Sequence, residues 1–414
     1  MSLRTLLGLS VACLAAAQST IDNGSAVRSQ FQPADEATLL RLRDNADVGG
    51  MRQHAWNVLV QITQRTLSGE PVWQTWESYP QIFPPSTPQP EDVLKKGLDL
   101  AKETELAEKS LPGTDKSEGL FLLSSTHFNP EASQHIRMNR LNHRDQLKDI
   151  IHRQTNAYEA PAIPAFPRGA VVVKAAWWLV GKSGRTAMPV WDPVEVGATP
   201  RPVSIRTSKW KRCVAIDPNQ VTEGTLSEQM PCGGQKRPLP VVSLSQFYFI
   251  SLTDEMRDHI STLGIIKNHV YPRDPAYAVL VGLHVTTKEI PNWVWATLWW
   301  HDQPHSGPYA ADRPAALEPP WTNYLMDTTL SADTPRESDE QPKICFNPWL
   351  EGQLPLGITA NCMACHRRAA FPIADDEVSR AAGSVNPRGN GPAPPYKDPV
   401  LLLDFLWSIQ PKTP

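Results

Sequence analysis

Cys362-Met363-Ala364-Cys365-His366 is the segment that most constrains what this chain can fold around. Two thiols three positions apart fall on one turn of a helix, and the imidazole beside the second projects from that same turn. A zinc site built on these thiols needs a second ligand pair, and the sequence contains no other C-x-x-C. A disulfide-exchange dithiol expects a strand leading into its helix. Here the preceding Leu356-Gly357-Ile358-Thr359 is short and interrupted by glycine. The spacing suits instead the addition of both thiols to the two vinyl groups of one haem, with His366 as axial base on the iron.

The amino-terminal residues point to the compartment where such an attachment is made. Arg4 is a minimal positive region, Leu6 to Ala17 is an apolar run, and Ala15-Ala16-Ala17 is a small-residue cleavage site before Gln18. Residues 1–17 are therefore expected to be a cleaved signal peptide, and the protein to be periplasmic or secreted. Acylation at Cys13 is the weaker alternative, because Ser10 stands where a leucine is usual. The run is too short to span a bilayer, and no later stretch reaches about eighteen apolar residues. No membrane span is expected.

The net charge of −3, with no block of like charge, argues against a nucleic-acid or anionic-membrane partner. The 40 prolines are about twice the usual share, and 14 tryptophans is also high. Such a chain should be rich in loops and packed largely through aromatic rings. Cys213 and Cys232 enclose a polar loop and are candidates for a disulfide in an oxidising compartment. Cys345 is left over, either buried or replacing one member of that pair.

Fold class reads as α+β: a large aromatic-rich region over residues 18–343, with N-terminal helices and an antiparallel sheet, then a small, mainly helical haem-binding segment over 344–414. Ala34 to Gln64 has helical periodicity, with Gly49-Gly50 as the expected break. A polar helix is expected over Glu91 to Glu108. Asn129-Pro130 reads as an N-cap followed by a first-turn proline, with a helix running to about Gln154. Strands are expected over Ala170–Val180, Val241–Ser251, Ala276–Thr287 and Trp293–Trp300. Gln303 to Lys343 reads as a long surface connection. Gly181-Lys182-Ser183 fails as a phosphate-binding loop, because the position needing the first glycine is Ala176.

The last 70 or so residues resemble the monohaem c-type cytochromes. The resemblance rests on Cys362, Cys365 and His366, followed by Asp398-Pro399 and the apolar run Val400 to Ile409, which reads as a final helix. It implies one covalent haem c on the two cysteines, with His366 as proximal iron ligand and a redox partner protein. A distal methionine would complete the family pattern, and no methionine follows Met363. The opposite haem face must then be covered by the upstream region, since a segment this small cannot enclose a haem alone.

Two histidines are candidates for that face. His127 is expected at a loop-to-helix junction, and His301 precedes Asp302, whose carboxylate would orient it. His284, on a strand between apolar neighbours, reads as a structural residue, as does the Trp293/Trp295/Trp299/Trp300 cluster. Lys288-Glu289-Ile290-Pro291-Asn292-Trp293 is distinctive but shows no mechanism in the sequence. The functional expectation is electron transfer through one haem. The alternative is a haem enzyme, peroxidase- or oxidase-like, with an open distal site formed upstream.

Overall fold

Two helices open the described residues. In the computed structural model, α1 (Glu36–Asp44) and α2 (Val48–Thr63) are separated at residues 45–47, before the expected glycine break. The reason is local: the Asp47 side chain caps α2 by accepting the Gly50 N–H at 2.9 Å, so both glycines become its first turn. Met51, Ala55, Val58, Leu59 and Ile62 form one buried stripe along α2. The structure describes residues 31–101, 122–154, 161–191, 207, 210–219, 224–265, 271–331, 344–353, 360–372 and 400–411. The expected leader with Cys13, the strand candidate before the cysteine motif and the Asp398-Pro399 cap lie outside these residues.

The strand β1 (Glu77–Ser78) leads into α3 (Tyr79–Ile82), and α4 covers Glu91–Lys96. The polar helix expected to reach Glu108 stops early because Gly97 takes a left-handed conformation, φ +61°, and β2 (Asp99–Leu100) follows. After β3 (Leu123–Phe128), Asn129 caps α5 (Pro130–Met138) by accepting the Ala132 N–H. The single helix expected from there is two: Arg140, at φ +53°, breaks it before α6 (Arg144–Gln154).

The remaining strands are β4 (Val171–Gly181), β5 (Thr186–Val190), β6 (Arg212–Asp217), β7 (Gly224–Cys232), β8 (Gln235–Ser243), β9 (Phe249–Ser251), β10 (Pro275–Thr287), β11 (Val294–Trp300), β12 (Tyr324–Thr329), β13 (Ala370–Phe371) and β14 (Leu401–Leu402). Helix α7 spans Asp254–Thr262 and α8 spans Cys362–His366. The large sheet runs β1-β3-β4-β10-β11-β12, with β2 on β3 and β9 on β10, and every pair is antiparallel. A second sheet, β5-β6-β8-β7, includes one parallel pair, β6 with β8. Cys213 and Cys232 are joined as a disulfide, and it ties β6 to β7.

The fold is α+β, and two sequence expectations are corrected within it. The stretch Val241–Ser251 is not one strand: a 3₁₀ turn at Leu244–Gln246 divides β8 from β9. The connection Gln303–Lys343 contains β12, a strand hidden from pattern reading because it is buried on both faces and so does not alternate.

The large sheet separates two apolar cores. Val171, Val173, Ala175 and Trp177 of β4 enter one with Leu298, Trp299 and Trp300, whereas Val172, Trp293 and Trp295 enter the other. Over Val171–Val173 period-2 alternation sends neighbouring residues to different cores, whereas Ala175 to Val180 and Leu298 to Trp300 lie wholly in the first. Residues 31–414 group as one unit. Trp349 shows how the late segment is built in, packing edge-on to Trp178 at 5.6 Å and Trp210 at 5.0 Å. Each such aromatic pair adds about 0.5–1.5 kcal/mol beyond burial.

The C-terminal segment differs from the cytochrome pattern. Among its described residues the only α-helix is α8, and Val400 to Ile409 forms β14 and turns instead of a crossing helix. The run is apolar and partly buried, but it pairs as a strand: Leu401 and Leu402 lie in register with Phe371 and Ala370, and the Leu402 N–H donates to Pro161 O while its C=O accepts the Ile163 N–H. Among the described residues no helix is long and apolar enough to cross a membrane.

Candidate functional site

Helix α8 begins where the Asn361 side chain accepts the Ala364 N–H at 3.1 Å. That cap fixes the first turn and places Cys362, Cys365 and His366 along the wall of one cavity of about 770 Å³. The volume falls within the range of cofactor pockets.

His366 is held in one tautomer. Its Nδ1–H donates to the Phe405 carbonyl at 2.8 Å, which leaves Nε2 as the nitrogen with a free lone pair. The Trp295 ring lies 4.2 Å away at 39°. Burial pushes the imidazole down to about 4, so it is neutral near pH 7, the form a metal requires.

The carbonyl that orients His366 comes from a turn in which Asp404 and Phe405 both have positive φ, +44° and +71°. This unusual backbone is clamped. The Asp404 carboxylate accepts the Phe166 N–H at 2.8 Å and the Lys288 ammonium at 2.7 Å. Lys288 also donates to Pro291 O and lies 5.3 Å above the Trp293 ring. Burial raises Asp404 and lowers Lys288, and their mutual attraction opposes both shifts. The remainder of that hexapeptide is anchored as well. Glu289 accepts from the Ala34 N–H and pairs with His54, Asn292 donates to Leu330 O, and Trp295 Nε1 donates to Asn292 O. The segment the sequence left without a mechanism is the brace that fixes both neighbours of His366.

The sheet supplies much of the remaining lining. Thr126 of β3, Val172 and Lys174 of β4, His284 and Thr286 of β10 and Trp295 of β11 all line the cavity. His284 Nε2 meets Glu351 Oε1 at 2.9 Å, and Glu351 Oε2 accepts the Asn347 N–H at 2.7 Å. Asn347 is pinned in turn, donating to Thr297 Oγ1 at 2.9 Å and Leu298 O at 2.8 Å. Gly282 makes this approach possible, since a Cβ there would meet Asn347 Oδ1 at 2.9 Å. Burial raises the Glu351 carboxyl, but His284 and the Asn347 amide outweigh it and hold the group below its ordinary value.

A third thiol is present. Cys345 Sγ lies 3.6 Å from Cys362 Sγ, and the Cys362 S–H also points to Cys345 O at 3.2 Å. Contact with Cys345, then burial, pushes the Cys362 thiol upward. Cys345 is thus buried and free, with Cys213 and Cys232 paired to each other. Among the described residues no three His, Cys, Asp or Glu side chains converge to hold a metal ion by themselves.

The two histidines the sequence offered for the distal face do not line this cavity, and the reason is geometric. His127 sits within β3, not at a loop junction, and alternation sends it to the face opposite Thr126. There it is fully buried, its Nδ1 on Trp76 O and its ring edge-on to Trp73. His301 follows the far end of β11, six residues and so about 20 Å from Trp295. Its Nδ1 accepts the Gln303 N–H, and Asp302 pairs with Arg212. His284 is the residue that sequence reasoning set aside. The signal was the alternation Leu283-His284-Val285-Thr286, polar on every second position of an otherwise apolar strand.

The donor set fits a covalent haem: two thiols and a tautomer-locked imidazole open on a cofactor-sized cavity. Trp407, also on its wall, has a buried indole N–H with no acceptor among the described residues, a donor that a haem carboxylate would satisfy. No protein-family model, curated protein or solved structure matches the chain.

Proposed function

We propose that this chain is a haem-binding protein of the c-type cytochrome class, working in a periplasm or outside the cell, that passes electrons through one covalently attached haem. The observation that carries the reading is the locked His366: Nδ1–H on the Phe405 carbonyl, Nε2 free, and both motif thiols on the same cavity.

Attachment needs no oxidant. Each S–H of Cys362 and Cys365 adds across one vinyl group, the sulfur forming the S–C bond and the proton going to the neighbouring carbon. Bound in this way, haem supplies a one-electron Fe(III)/Fe(II) couple whose potential depends on axial ligands, hydrogen bonding and burial. This chain's residues set those terms. The Phe405 carbonyl raises the basicity of His366. Val172 and Trp295 give the cavity apolar lining that would lower the local polarity around a bound haem, and the Lys288–Asp404 clamp keeps the carbonyl in place. A partner protein delivers and removes the electron.

The test is the covalent link. The protein made in a host that attaches haem c should keep a haem stain after denaturation, and its mass should rise by one haem. The paired substitution Cys362→Ala and Cys365→Ala should remove the stain completely. A stain that survives both changes, or a wild-type chain that never acquires it, refutes the reading.

A further inference from the structure

His284 stands on the sheet and lines the same cavity as His366. On β11, Trp295 contacts the His366 ring and pairs in register with Thr286 of β10. His284 lies two residues from Thr286 on the same face of β10, roughly 7 Å along the strand. The two imidazoles therefore share one compartment beside the cysteine pair.

The surroundings of His284 are those of a metal-ligating histidine. Such a histidine characteristically gives one ring N–H to a carboxylate or carbonyl, and this fixes its tautomer and its ring plane. The chain Asn347–Glu351–His284 does this, with Glu351 itself held by a backbone amide and Asn347 tied to β11. With Nε2–H on Glu351, the lone pair resides on Nδ1, which makes no hydrogen bond among the described residues. The other histidine on the cavity wall besides His366 is His259. It stands on α7, which packs on α4, and its Nε2 is taken by Leu98 O. Among the described residues no methionine lines the cavity.

We propose that His284, through Nδ1, is the second axial ligand of the haem iron, and that Glu351 is its positioning residue. The assignment rests on the covalent-haem reading above and supplies the distal ligand that the C-terminal segment lacks. It makes the protein a bis-histidine carrier whose sixth ligand comes from the sheet.

The test uses the full-length protein with its haem attached. The wild-type ferric spectrum should be low-spin, and the reduced form should not bind carbon monoxide. His284→Ala and the milder His284→Gln, which retains a side-chain N–H for Glu351, should both become high-spin when ferric and bind carbon monoxide when reduced. Added imidazole should restore the low-spin spectrum to His284→Ala. Glu351→Gln should keep six-coordination but shift the reduction potential, a change that a purely structural role would not produce. A low-spin spectrum unchanged in both His284 variants overturns the assignment. So does loss of low spin in Lys174→Ala but not in His284→Ala, which would place the ligand at Lys174. A wild-type protein that is high-spin and binds carbon monoxide also overturns it, in favour of an open, enzyme-like site. Absence of covalent haem in the wild type is a separate result, because it removes the underlying reading before any ligand is compared.

Discussion

The two faces of the large sheet are made by the same strands and have opposite characters. One face of β4 and β10 is closed by tryptophans: Trp177, fully buried, meets Trp73 at 6.3 Å and Tyr248 at 6.1 Å and donates to Ser125. The other face, one residue along each strand, presents Thr126, Lys174 and His284 to a cavity of about 770 Å³. A strand has to satisfy both faces with one alternating sequence, so a ligand site costs little when the opposite face carries the stability. The division is local: the second face is open to the cavity around Thr126, Lys174 and His284, whereas farther along β4 Trp178, on that same face, is closed over by Trp349.

Substitutions on the two faces should therefore differ in kind. Trp177→Ala should cost about 3–5 kcal/mol in urea unfolding, the usual price of emptying a fully buried indole site. Lys174→Ala, across the same strand, should cost under about 1 kcal/mol. Comparable losses at the two positions would mean that the cavity face also carries the fold. The brace behind His366 should come next. Asp404→Ala leaves the buried Lys288 ammonium without its carboxylate and should cost about 3 kcal/mol. If the midpoint does not move, the pair does not clamp the Phe405 turn.

A smaller effect is expected with pH. On the closed face, burial pushes His127 down to about 4 from an ordinary 6.5. Between those values the unfolded chain binds the proton and the folded chain does not. Stability is therefore full above pH 6.5 and is lost as the pH falls toward 4. The loss attributable to this group reaches at most about 3 kcal/mol, at 1.36 kcal/mol per pKa unit. His127→Gln should flatten the unfolding midpoint across that window; an unchanged pH curve would mean that His127 is solvated.

The tertiary structure treated the sequence signals unequally. Asn129-Pro130 correctly announced a helix start, because a cap is a local device in which one side chain bonds an amide three residues on. The strands β4, β10 and β11 were legible from β-branched and aromatic runs, within a residue or two of their ends. The final apolar run was misread. Val400 to Ile409 mixes buried and half-buried residues, and its pairing as a strand was decided by Ala370 and Phe371, thirty residues earlier. β12 escaped notice for a related reason, since burial on both faces removes the alternation that marks a strand.

The cavity lining was illegible in the same way. His127 and His301 were attractive through their neighbours in sequence, whereas the cavity is assembled from neighbours in space. Register across β10 and β11, and the reach of Glu351 from a distant turn, place His284 there.

By itself the sequence determined the α+β class and the chemical grouping at Cys362, Cys365 and His366, because thiol spacing and an adjacent imidazole depend on a single helical turn. Only the tertiary structure decided which carbonyl locks His366, which thiol lies beside Cys362 and which histidines share its cavity. Those depend on strand register and on a clamp between Lys288 and Asp404, contacts between residues far apart in the chain that local pattern alone cannot pair.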